Sequence, residues 1–97
     1  MRVIAVKALR LFWFEHPDAA EALKAWVAEA EAADWHGPEE IKRRYASADF
    51  LAGNRVVFNI RGNRYRLVVK IHYNTGFVFV RFIGTHQAYN RIDAETI

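Results

Sequence analysis

Ninety-seven residues, 53% of them hydrophobic, describe one ordinary domain over residues 1–97, able to bury roughly 60–65% of its unfolded surface. The absence of Cys excludes disulfides, thiolate metal sites and cysteine nucleophiles, and fits a reducing cytosol. The net charge of +3 hides an asymmetry: residues 1–50 carry seven Lys/Arg against nine Asp/Glu, whereas residues 51–97 carry seven against two, with no carboxylate between Arg55 and Arg91. A basic half of a small chain with an acid-free segment of this length points to an anionic partner such as nucleic acid; the alternative is a solubilising surface, although those usually mix both signs.

Met1 to Lys7 is too short and too soon charged for a signal peptide or membrane span, so a soluble cytoplasmic protein with no membrane partner is expected. Arg2 to Val6 is apolar and partly β-branched, suited to add a strand to a later sheet. From Lys7 to His16 the pattern turns helical, with Leu9, Phe12, Trp13 and His16 on one face and Leu11 and Phe14 on the other. A helix apolar on both sides is either sandwiched, for instance against the C-terminal tail, or holds a partner.

Pro17, Asp18 and Glu21 form a helix start, since Pro tolerates the first turn and carboxylates complement the positive end of the dipole. This second helix runs to about Ala33 with Leu23, Trp26, Val27 and Ala30 as its core stripe. After the break at Trp35-His36-Gly37, a third short helix runs from Pro38 to near Tyr45, with Lys42, Arg43 and Arg44 in its last turn. Ala46 to Asn54 reads as a loop without Lys or Arg.

Thereafter the period is two. Arg55 to Ile60, Arg64 to Tyr73 and Phe77 to Ile83 read as three strands of an antiparallel meander, joined by turns at Arg61-Gly62-Asn63 and Asn74-Thr75-Gly76. On the middle strand Tyr65, Leu67, Val69, Ile71 and Tyr73 suit a core. Arg64, Arg66, Val68, Lys70 and His72 form the other face, where cations at alternate positions suit a phosphate backbone. On the last strand the alternation groups Phe77, Phe79, Arg81 and Ile83 against Val78, Val80 and Phe82. Arg81 then interrupts an apolar face, which requires a cleft or an acidic partner. Thr85 can cap one helical turn carrying His86 and Tyr89 on one face, and Arg91 to Ile97 is a polar tail with Ile92 as its anchor. His16, His36, His72 and His86 lie on different elements without ligand spacing, so neither a metal nor another cofactor is expected.

Phe58-Asn59-Ile60 with Gly62-Asn63, Tyr65-Arg66-Leu67-Val68-Val69, Arg81-Phe82, and Gly84-Thr85-His86 with Tyr89 resembles the HigB-type toxins of bacterial toxin–antitoxin modules. The resemblance covers nearly the whole chain. It implies an α+β, RelE-like fold, with a short N-terminal strand and two to three helices packed on an antiparallel meander. It also implies an endoribonuclease that cuts messenger RNA on the ribosome and arrests growth. A helix-turn-helix antitoxin of the HigA type is the implied partner, with DNA reached only through that antitoxin.

Metal-free RNA cleavage uses the ribose 2′-hydroxyl as nucleophile. The protein must hold it in line, move two protons and stabilise the pentavalent phosphate. Arg66 and Arg81 are the expected phosphate stabilisers, Lys70 a backbone-positioning cation, His86 the general acid or base, and Tyr89 a stacking or proton-relay group. Asn59, Arg61, Arg64 and Arg55 are expected RNA contacts, and Leu11 and Phe14 antitoxin contacts. Some RelE-like enzymes use a lysine ahead of the first meander strand, which the Ala46–Asn54 segment lacks. A non-catalytic RNA- or ribosome-binding module, or an inactive toxin homologue, is the alternative, and a third reading is an interaction protein whose faces serve a partner.

Overall fold

A computed structural model describes all 97 residues. The order is β1 (Arg2–Ile4), α1 (Val6–Glu15), a single 3-10 turn (Pro17–Ala19), α2 (Ala20–Ala32), α3 (Pro38–Arg44), β2 (Asp49–Leu51), β3 (Arg55–Ile60), β4 (Tyr65–His72), β5 (Phe77–Thr85) and α4 (His86–Tyr89). One five-stranded mixed sheet runs β1-β5-β4-β3-β2. Only the β1–β5 pairing is parallel; the other neighbours are antiparallel. No helix is long and apolar enough to cross a membrane.

The alternation of β3 and β4 explains the core. Val56, Phe58 and Ile60 pair with Val69, Leu67 and Tyr65, and all six are buried on one face beneath Leu9, Leu23, Trp26 and Ala30 of the helices. Phe58 is the centre of an aromatic group, edge-on to Trp26 and Tyr45 and stacked on Trp35. The β3–β4 turn needs two left-handed residues, Arg61 at φ 53° and Gly62 at φ 67°, and only the second is free of the Cβ penalty.

Four sequence expectations change. Ala46–Asn54 is not a plain loop, because Asp49–Leu51 pairs with β3 as an edge strand. The alternation of β5 breaks at a bulge: Val68 pairs with Phe82 but Val69 with Val80, leaving Arg81 as the extra residue. Phe82 thereby joins the face of Phe77 and Phe79, and Ile83 joins the core face of Val78 and Val80. Arg81 is exposed, not buried among apolar side chains, so it makes no demand for an acidic partner. The tail does not cover the outer side of α1, where Leu11 and Phe14 remain 58% and 84% exposed. It crosses the opposite sheet face instead, burying Ala94 against Val57 and Val68, with Ile97 packed beside them; Val68 is therefore a second small core and not part of an open basic surface.

Candidate functional site

The sheet face away from α1 and α2 carries Asn59 and Arg66 as register partners, with Arg66 opposite Gly84 on the other side. Gly84 leaves room there: a Cβ would sit 2.6 Å from the far end of the Phe82 ring and 3.3 Å from the Ala88 Cβ, so the ring would have to shift. That close approach lets α4 lie against the sheet directly after β5. Thr85 fixes its start, its Oγ1 accepting a hydrogen bond from the Ala88 N–H at 3.1 Å. One turn later, the Tyr89 ring lies under the Arg66 guanidinium, 4.7 Å from ring centroid to Cζ. Phe82 and His86 each stand 6.4 Å from the Tyr89 ring, tilted by about 60°.

Arg66 is only 18% exposed, and its Nε has no hydrogen-bond partner. Its nearest carboxylate oxygen, on Asp49, is 4.0 Å from Nη1, at the outer limit of an ion pair, and Asp49 is itself 60% exposed. Asn59 donates from Nδ2 to the Ser47 carbonyl at 3.2 Å, while its buried Oδ1 is unpartnered. A buried donor and a buried acceptor thus stand on facing strands with hydrogen-bonding capacity unfilled. Leaving such groups unmade costs stability, so a ligand that completes them is favoured. An oxyanion fits the donor of Arg66, whose forked geometry matches two oxygens at once.

A match to the family model for HigB toxin, the RelE-like toxic component of a toxin–antitoxin system, spans residues 19–92. This chain belongs to the HigB toxin family. No curated protein matches it. Membership carries the RelE-like fold, which the helices and five-stranded mixed sheet display, and implies an antitoxin as partner. It also points to the endoribonuclease chemistry general among RelE-like toxins.

In this HigB-family protein the residues singled out from the sequence separate into groups. Arg66, Tyr89, His86 and Asn59 lie around one patch. Lys70 follows Arg66 on the same face of β4, and Arg81 is exposed on the bulge of β5 with no ion pair. Arg55 faces the same side, but its Nε donates to the Ile97 carbonyl at 2.7 Å. Arg61 and Arg64 are elsewhere: their Nη1 atoms lie 3.1 and 2.8 Å from Asp18 Oδ2, and the Tyr65 hydroxyl donates to Asp18 Oδ1 at 2.6 Å. The Tyr65 hydrogen bond, then that of Arg64, holds the Asp18 carboxyl below the usual carboxylate range, and the same bond pushes Tyr65 up.

Asp49 is the residue that strand-pattern reading overlooked. It shares the face of Val57, hence of Arg66, and brings the one carboxylate within reach of that guanidinium. Its only signal in the sequence is an acid six residues ahead of the first long strand, at Arg55. The largest cavity, about 300 Å³, lies beside Tyr89 between Leu51 and the tail, but Asp93 and Glu95 line it, which does not suit a phosphate.

Proposed function

We propose that this HigB-family protein is a ribosome-associated endoribonuclease that cuts translated messenger RNA by metal-free attack of a ribose 2′-hydroxyl, and that a helix-turn-helix antitoxin of the HigA type neutralises it in the cytoplasm. The observation that carries the reading is Arg66: a cation largely withdrawn from solvent, stacked on Tyr89, with its Nε unpartnered and only a distant, exposed carboxylate beside it. Such a group binds a phosphate more strongly than an exposed one, because little water must be displaced and the charge is weakly screened.

Arg66 takes the non-bridging oxygens of the scissile phosphate, where negative charge grows as the 2′-oxygen bonds to phosphorus. Arg81 and Lys70 hold the flanking backbone. His86 and Asp49 flank the patch from opposite sides, one on α4 and one on β2. They form an acid–base pair in which the Asp49 carboxylate accepts the 2′-hydroxyl proton and the His86 imidazolium protonates the departing 5′-oxygen. The products are a 2′,3′-cyclic phosphate and a free 5′-hydroxyl, so atoms and protons balance without water or metal. Tyr89 holds Arg66 in place and offers its outer ring edge to a base. The small patch gives little grip on the substrate by itself, which favours a ribosome that presents the message in a cleavable geometry.

Induction of this chain alone is expected to arrest growth and to fragment transcripts within coding regions, with 5′-hydroxyl ends at the cuts; co-expression of the antitoxin abolishes both. Arrest with intact transcripts would overturn the nuclease reading.

A further inference from the structure

The same sheet face carries a second aromatic group, at the end away from α4. Phe77 and Phe79 are register partners of His72 and Lys70 on β4, and the parallel pairing sets Arg2 beside Phe77 and Ile4 beside Phe79. The two rings stack at 6.0 Å and 26°, and His72 meets Phe79 edge-on at 5.0 Å. Both rings are half-buried, yet neither joins a packed core: the helical core takes Val78 and Val80 from this strand, and the tail covers Val57 and Val68 farther along the sheet. Outward positions of a strand are ordinarily polar, so two phenylalanines there call for a function.

Their surroundings select it. Arg2 and Lys70 flank the rings, the bulged Arg81 follows Phe79 by two residues, and no carboxylate occurs from Ala52 to Ile92. An apolar face for a protein partner does not need an acid-free cationic border. A single-stranded nucleic acid needs both parts: aromatic faces for its bases, and cations for its phosphates. Lys70 is four residues from Arg66 along β4, which puts the rings about 13 Å from the phosphate patch. A short RNA spans both.

We propose that Phe77 and Phe79 form a base-stacking platform for the single-stranded RNA leading to the Arg66 patch, one ring for each of two successive bases, with Arg2 and Lys70 holding the intervening phosphates. The proposal rests on the RNA reading given above and adds a binding site to it. It makes the affinity for flanking nucleotides separable from the cleavage step.

The test uses the purified full chain and a 2′-O-methyl single-stranded oligonucleotide carrying 2-aminopurine, which the 2′-hydroxyl route cannot cut. The wild type is expected to quench the 2-aminopurine on binding. Replacing both rings (Phe77→Leu with Phe79→Leu), which keeps apolar bulk and protects folding, is expected to abolish the quench and weaken binding about tenfold per ring, whereas the Tyr pair retains both. The slope of affinity against salt stays the same, because no cation has been removed. Unchanged affinity and quench in the folded Leu pair would overturn the platform, as would loss of antitoxin co-purification with RNA binding intact, which would assign the surface to a protein. Cleavage on programmed ribosomes is scored separately. A wild type that stacks RNA but never cuts refutes the nuclease reading and leaves the platform standing; one that cuts, with a Leu pair of unaltered affinity, refutes the platform alone.

Discussion

Arg64 and Arg66 are two residues apart in sequence and have opposite circumstances. Arg64, at the β3–β4 turn, is 61% exposed and paired with Asp18, a carboxylate that also holds Arg61 and Tyr65. Arg66, inside β4, is 18% exposed, stacked on Tyr89, and has only the distant Asp49 for a carboxylate. The first group uses its charge within the fold, tying the β3–β4 turn to the start of α2. The second keeps its charge available in a place where water screens it little. Cation content alone therefore does not mark a phosphate site; what marks it is burial combined with the lack of a close partner.

The largest effect that sharpens this contrast is expected at Arg66. Arg66→Ala is predicted to lower cleavage on programmed ribosomes about 10²–10³-fold with little change in thermal midpoint, because removing one such transition-state donor costs that much. Arg66→Lys restores the charge but not the fork, so most of the loss remains. Next comes Gly84→Val, predicted to cost cleavage at least about tenfold: its branched Cβ collides with Phe82, shifts α4 and withdraws Tyr89 from Arg66. Tyr89→Ala should lower cleavage about 5–20-fold by removing the stack under the guanidinium, and Tyr89→Phe should keep most of the activity, which separates stacking from proton relay.

Smaller still is the effect at the other cluster. Arg64→Ala is predicted to change cleavage less than about twofold, as expected for an exposed ion pair. The Asp18 carboxyl is held below its ordinary value of about 3.9 by Tyr65 and Arg64, so its contribution to stability is complete above that value and is lost as pH falls through the lowered one. Asp18→Asn should therefore reduce thermal stability at pH 7 and flatten the decline between pH 5 and pH 2, while leaving cleavage at neutral pH nearly intact. An acid limb with the same slope in both proteins would break the assignment of Asp18 to the fold.

Much of this was legible in the sequence where the signal is local and repeated. The alternation of Arg55–Ile60 and Tyr65–His72, the Pro38 start of α3 and the Thr85 cap before His86 all appear where residue pattern sets them, whereas Pro17 opens a 3-10 turn and α2 begins only at Ala20. Whatever depends on distant partners was not. Asp49–Leu51 is a three-residue edge strand that begins with an acid, so period-two reasoning has nothing to count, and pairing with β3 creates it. The bulge at Arg81 reverses the facing of every later side chain in β5, and no turn residue announces it. The claim of Asp18 on Arg61 and Arg64 spans more than forty residues. Ala94 is too small to advertise itself as the anchor of the tail, yet it is the tail residue buried against Val57 and Val68, with Ile97 rather than Ile92 packed beside it. The candidate site was thus readable as a list of cations and aromatics; the sorting of those cations into used and available required three dimensions.

The most direct measurement of that sorting sets wild type, Arg64→Ala and Arg66→Ala side by side on ribosomes programmed with one message, scoring the rate at which 5′-hydroxyl ends appear. The expected result is near-equal cutting by wild type and Arg64→Ala, with Arg66→Ala slower by two orders of magnitude or more. Equal rates for the two alanine variants, or a folded Arg66→Ala that cuts like wild type, would contradict the assignment of Arg66 as the available phosphate cation.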